Sequence, residues 1–253
     1  MRNIVATVAI VTCLWGLCPM ARGQVELKGS AKVFTGISGV FRPELEALGR
    51  RAQERGAETV VYAGEFARAG SRSVSARVTV QLPRMILLEG FKAEKIAFDG
   101  TVSKNAATQE DTALLESLLL DTQEGMLASI DGGAATRLLG RDFGPEPGQK
   151  SASSEGRYDI YDVMMPDPFR EGKSWVSRLY YFDSKTHRLQ FTRYRDRTVS
   201  PPVEIETRFS VWGVLDASAY PACIERYEDG KLVFSFVATG IEAGPARDLS
   251  SYR

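Results

Sequence analysis

The chain has 253 residues, with 32 basic and 32 acidic side chains, zero formal charge and a charged fraction of 25%. That is an ordinary soluble composition, and no basic field is present to recruit nucleic acid. The length accommodates one large β-rich domain or two small ones.

Residues 1–23 read as a secretory signal peptide. Met1-Arg2-Asn3 supplies the positive start, IVATVAIVTCLWGLC the apolar core, and Ala21-Arg22-Gly23 the small residues before a cut at Gln24. The alternative is an uncleaved N-terminal anchor. Lipidation does not fit, because Leu17 before Cys18 and Thr12 before Cys13 stand where a small residue is needed. Loss of Arg2 and Arg22 takes the basic count from 32 to 30 against 32 acidic residues, a mature charge near −2. No second apolar run is long enough to span a bilayer. Cys13 and Cys18 leave with the peptide, so Cys223 stands alone, which excludes an internal disulfide framework and a cysteine zinc site. Within PACIERY, Cys223 reads as a small buried hydrophobe.

Residues 24–42 form a Gly-rich, extended lead-in. Pro43 to Gly56 reads as a helix: Pro43 suits the first turn, Leu45 and Leu48 share a face, and Gly56 stops it. Its remaining surface is charged, which places it on the outside of the domain. Strands follow in ETVVYAGEFAR, SVSARVTVQL, RMILLEG and EKIAFDGTV, separated by turn-prone Gly, Ser and Asp-Gly. In the second, Ala76, Val78, Val80 and Leu82 point one way and Ser75, Arg77, Thr79 and Gln81 the other.

Residues 108–140 read as a helical interruption. Thr108 and Asp111 make a capping-box-like start, and Leu114, Leu115, Leu118 and Leu119 form an apolar stripe at helical spacing. Asp121-Thr122 restarts the pattern, with Met126, Leu127 and Ile130 inward until Gly132-Gly133, and a third short helix through ATRLL to Gly140. The stripe suits a helix packed on a sheet. Glu110, Asp111, Glu116, Asp121 and Glu124 argue against an anionic membrane surface as its partner.

Residues 143–156 form a Pro/Gly/Ser loop, expected to be the most mobile segment. RYDIYDVMMPDPF returns to strand. From Ser174 to Thr239 the runs SWVSRLYYF, RLQFTRYR, PVEIETRFSVW, PACIERYED and KLVFSFVAT follow one another across short polar turns. Most alternate apolar and polar residues, as in an antiparallel meander wet on one face and buried on the other. The upstream strands extend the same sheet, giving one domain over residues 24–253 interrupted by helix. Ile241 to Arg253 reads as a tail.

Chemical signatures are sparse. His187 is the only histidine and lies in the turn DSKTHR, where it reads as exposed. No multi-histidine metal site, EF-hand loop or phosphate loop is present. Glu204 and Glu206 share a strand face and could serve a glycosidase, but charges on an exposed face account for them better. Arg193-Tyr194-Arg195-Asp196-Arg197 reads as a solvated strand end.

The second half resembles the periplasmic carriers of outer-membrane lipoproteins, the LolA/LolB-like superfamily. YYFDSKTHRLQFTRYRD matches their strand–Asp-x-Lys-Thr turn–strand hairpin. ETRFSVWGVLDASAYPACIERYEDGKLVFSFVATGIE matches the next strand, a loop ending at Pro221 and another hairpin, and KIAFDG before the leucine stripe matches their strand-to-helix order. The resemblance spans about Ala57 to Glu242; the length of the chain and residues 143–156 depart from it, and no functional residue carries over. It implies an α+β fold: a curved, half-open antiparallel β-barrel with helices covering the concave face, and an apolar cavity between them. The residues expected to face that cavity are Val78, Val80, Leu179, Tyr181, Leu189, Phe191, Ile205, Phe209, Phe234 and Phe236, opposed by Leu115, Leu118 and Leu119. The expectation is a monomeric, non-enzymatic periplasmic binding protein for a lipid or lipidated protein, needing no cofactor. The rivals are an envelope protein-interaction or sensor module filled by its own side chains, and a hydrolase using scattered carboxylates.

Overall fold

The computed structural model describes residues 32–34, 42–47, 58–81, 85–91, 95–98, 103–104, 134–144, 156–166, 175–196, 200–215 and 218–248, together with the helical residues 111, 114, 115, 118, 123, 126, 127 and 130. The elements in chain order are β1 (Lys32–Phe34), α1 (Arg42–Ala47), β2 (Thr59–Arg68), β3 (Val74–Gln81), β4 (Met85–Glu89), β5 (Ile96–Phe98), β6 (Ser103–Lys104), β7 (Ala135–Phe143), β8 (Tyr158–Pro166), β9 (Trp175–Asp183), β10 (Leu189–Asp196), β11 (Val203–Leu215), β12 (Ser218–Glu228) and β13 (Lys231–Gly244).

All the strands belong to one 13-stranded sheet in the order β1-β7-β8-β9-β10-β11-β12-β13-β2-β3-β4-β5-β6. Two meanders, β2 to β6 and β7 to β13, are joined where β13 pairs antiparallel with β2, from Phe234↔Arg68 to Gly244↔Thr59. The order is linear, so the sheet of the described residues is open.

This order dictates what the central connection does. β6 lies at one edge and β7 next to the other, so the chain between them must return across a face of the sheet. Eleven strand spacings lie between β6 and β7, a flat width of about 53 Å at ~4.8 Å each. The buried helical residues 111, 114, 115, 118 and then 123, 126, 127, 130 repeat i, i+3, i+4, i+7, the stripe that one face of a helix presents. They share a single core with one face of the sheet: Leu114, Leu115, Leu118, Met126, Leu127 and Ile130 cluster with Val60, Tyr62, Phe66, Val78, Val80, Ile86, Leu88, Ile96, Phe234 and Phe236. Each of those helical side chains is at most 7% exposed, and each contributes about 2 kcal/mol of burial.

Several expectations are corrected. ATRLL is not a third helix but the body of β7, because its backbone is held between β1 and β8 (Val33↔Arg137, Leu138↔Tyr161). The helical stretch therefore ends before residue 135. Ile241–Gly244 is not tail but the end of β13, paired with Tyr62 to Thr59. The loop expected to end at Pro221 is replaced by strand, with Pro221 opposite Trp212. The polar side of β3 is covered in its second half: Ser75 and Arg77 are exposed, but Thr79 is 2% and Gln81 8% exposed, on the face where Met85, Leu87 and Ala97 form a second small cluster. Cys223 is buried and forms no disulfide among the described residues. Thr108, Leu82 and residues 145–155 lie outside the described residues.

The β2–β13 joint tolerates no side chain at Gly64. A Cβ there would stand 2.0 Å from the Val237 carbonyl oxygen, a backbone atom that cannot swing aside. Gly64→Ala is expected to destabilise the protein by about 1–3 kcal/mol, read as a lower urea midpoint with an unchanged m-value. An unchanged midpoint would mean that the two meanders are not held at this distance.

Candidate functional site

The face shared with the helical residues is apolar at its centre and polar at both ends. At the centre Phe66 stacks on Phe234 (ring centroids 5.7 Å apart) and meets Phe91 edge-on at 4.9 Å. Gln123, from the helical stretch, donates through Nε2 to the Ala219 carbonyl at 2.8 Å, which ties that stretch to β12. Arg68 on β2 pairs with the helical Asp111 at 3.1 Å and lies over the Phe91 ring at 4.8 Å. Asp111 is 1% exposed, so it serves this buried pair instead of a solvated acidic surface.

One end of the face is cationic. Register places Tyr194, Ile205, Thr207 and Arg226 on the same side as Phe209 and Ile224. The Arg178 guanidinium lies 4.0 Å over the Tyr194 ring, and Arg226 donates to the Tyr194 hydroxyl at 3.3 Å and pairs with Glu228 at 3.3 Å. Arg178 and Arg226 are only 3% and 6% exposed.

The sequence-predicted cavity residues divide between the two faces. Val78, Val80, Leu115, Leu118, Leu189, Phe209, Phe234 and Phe236 all lie in the shared core, and Ile205 is buried on the same face of β11. Leu179, Tyr181 and Phe191 lie in a separate cluster with Tyr158 and Ile160 on the opposite side, so the structure does not bring them to the helical residues. Leu119 lies outside the described residues. For Phe191 the reason is a bulge. Leu189 pairs with Phe182 but Phe191 pairs with Tyr181, so the register shifts by one residue at Gln190 and puts two residues of equal parity on opposite faces. On β9 the helix-side set is Arg178, Tyr180 and Phe182, and the charged member disguises it. Tyr180 and Phe182 are the residues that the alternation missed; both are fully buried in the shared core.

The opposite face carries its own charge cluster. Glu206 is 7% exposed and held between Arg193 (2.6 Å) and Arg208. Arg193 also lies over the Tyr181 and Phe191 rings. Glu206 is therefore a buried ion-pair partner, not one of two solvated carboxylates, and Arg193 is not a solvated strand end.

The other end of the helix-side face holds the groups that sequence reasoning placed in solvent. Glu44, on α1, is 1% exposed, so α1 is not purely an outside helix. Its Oε1 accepts from the Tyr161 hydroxyl at 3.2 Å and stands 3.5 Å from His187 Nδ1. His187 is half-buried, not a free turn tip. The DSKT turn explains its pose: the Asp183 carboxylate accepts from the Lys185 and Thr186 amides at 3.1 and 2.7 Å, and the His187 amide donates to the Asp183 carbonyl at 2.8 Å. These bonds hold His187 at φ 55°, in the left-handed region. Burial is the main reason the Glu44 carboxyl titrates above its ordinary range, and burial likewise pushes the Tyr161 phenol up.

No family model matches the sequence, and no curated protein matches it. Among solved structures, a LolA superfamily protein from Nitrosomonas europaea superposes with a TM-score of 0.51 at 10% identity, over 83% of this chain and 97% of that one. The fold is LolA-like. A domain from Vibrio parahaemolyticus described as an outer membrane lipoprotein-sorting protein gives a TM-score of 0.46 at 8% identity, over 83% of this chain and 97% of that one. A DUF1329 family protein from Desulfovibrio piger gives 0.43 at 10% identity, over 84% of this chain and 98% of that one. At such identities the LolA-like likeness is one of fold, and it agrees with the resemblance carried by the hairpins of the second half. No helix among the described residues is long and apolar enough to cross a membrane.

Proposed function

We propose that this chain is an exported periplasmic binding protein, a single LolA-like domain after signal cleavage, that holds a hydrophobic ligand between its sheet and the helical segment covering it. The observation that carries the reading is the apolar face itself. It runs unbroken from Ile96 on β5 to Val163 on β8 and is covered by helical residues joined to it at Arg68–Asp111 and Gln123–Ala219. Displacing that cover would open a long apolar surface, and an acyl chain supplies about 0.8 kcal/mol per buried methylene. A fatty acid, a phospholipid or the lipidated end of a protein fits such a surface. Binding and release need no bond chemistry, and the protein acts as a monomeric carrier and not as an enzyme.

Native mass spectrometry of protein purified from the periplasm, with uptake of a fluorescent fatty acid, tests this. A stoichiometric acyl-bearing adduct is expected, with uptake abolished by Phe234→Asp on the helix-side face and kept within about twofold by Phe191→Ala on the other. A clean unliganded mass without uptake would overturn the carrier. A second reading would then lead: an envelope protein-interaction module. It is favoured by how completely the face is filled by its own side chains, Phe66, Ile86, Leu88 and Leu115 being 0% exposed.

A further inference from the structure

We propose that Glu44, Asp159 and His187 form a site for a divalent transition-metal ion of the zinc class, which clips α1 to β8 and to the turn between β9 and β10. The three come from elements far apart in sequence, yet one ligand atom from each lies within 4.8 Å of the others. His187 Nδ1 and Glu44 Oε1 are already 3.5 Å apart. Two ligands bound tetrahedrally at ~2.0 Å sit about 3.3 Å from each other, so the Glu44–His187 pair already stands near coordination spacing, with an Asp159 oxygen within 4.8 Å of both.

The surroundings are those of a built site. Asp159 is 3% exposed, and its Oδ1 accepts from the Asp142 amide at 3.0 Å and the Ser184 hydroxyl at 3.1 Å. Tyr161 holds Glu44 Oε1. Such outer bonds orient carboxylate ligands. An independent sign comes from what is left over: Glu44 Oε2 and His187 Nδ1 are buried atoms without a hydrogen-bond partner. An unpaired carboxylate oxygen at this depth is costly, and a cation removes that cost. Arg157 is engaged by Asp142, and the exposed Arg141 is felt at Tyr161. One imidazole nitrogen and two carboxylate oxygens suit zinc or manganese, whereas calcium and magnesium favour all-oxygen shells.

The chain's single histidine makes the test clean. Tag-free protein is titrated with zinc while the one imidazole Cε1–H signal is followed by NMR, alongside calorimetry. A saturable one-to-one shift of that signal is expected, at micromolar zinc. Affinity should fall at least tenfold in Glu44→Gln and in Asp159→Asn, and millimolar magnesium should not compete. Circular dichroism verifies that each variant is folded; should Glu44→Gln fail to fold, Asp159→Asn and His187→Gln carry the comparison. An unmoved imidazole signal, or undiminished affinity in the folded variants, would overturn the proposal. The readout is independent of ligand uptake, so the site stands or falls apart from the carrier reading.

Discussion

Replacing Phe66 with alanine is expected to cost about 3–5 kcal/mol of folding stability, the range for deleting a fully buried aromatic ring. Phe66 is 0% exposed and lies on β2, the strand that joins the two meanders through β13. Its ring stacks on Phe234 and meets Phe91 edge-on, so alanine removes two aromatic contacts as well as the buried area. The cavity cannot readily collapse, because the flanking backbone is fixed in ladders on both sides, to β13 and to β3. Urea unfolding followed by near- and far-UV dichroism is the measurement. A loss below about 1 kcal/mol would show that the helix-side face is not the dominant core. A loss of near-UV signal with strand content retained would show that the ring orders the packing more than it holds the sheet together.

The second large effect concerns how the helical segment is fastened. Arg68→Leu is expected to destabilise by about 2–3 kcal/mol, because it deprives the buried Asp111 of its guanidinium partner at 3.1 Å. The value sits at or below the lower limit for a fully buried pair, since Arg68 is 30% exposed and solvent screens part of its charge. The double variant Arg68→Leu/Asp111→Leu should recover to within about 1 kcal/mol of the parent, since two apolar groups leave no buried charge behind. Measured as a double-mutant cycle, the pair should show a coupling above ~1 kcal/mol. Additive single effects would mean that the helical residues and β2 are fastened by apolar contact alone. The same variants bear on the carrier reading: loosening this contact should speed ligand uptake if displacement of the helical segment opens the site.

Much of this architecture is written locally. Alternation in TVVYAGEFAR and KLVFSFVAT, the Asp-Ser-Lys-Thr turn at 183–186 and the helical spacing of Leu114, Leu115 and Leu118 depend only on neighbours a few residues apart, and each formed the element its pattern dictates. The Asp229-Gly230 hairpin, with φ of 46° and 74°, belongs to the same class, because only residues tolerant of positive φ close so tight a turn. The buried role of Cys223 followed from the apolar and polar alternation of its strand.

Tertiary structure decided what local pattern cannot carry. ATRLL has helical spacing, yet the free backbone edges of β1 and β8 claim its hydrogen bonds and make it strand. The bulge at Gln190 sends Leu189 and Phe191 to opposite faces, since one inserted residue inverts a period of two. Glu206 looks solvated along its own strand, and only the neighbouring strand brings Arg193 onto it. Glu44 and His187 lie more than a hundred positions apart, on a charged helix and a polar turn, and each reads as surface alone. Their burial with Asp159 exists only because the Glu44 side chain of α1 reaches Tyr161 and Asp159 of β8, a long-range placement that hydrophobic periodicity does not encode.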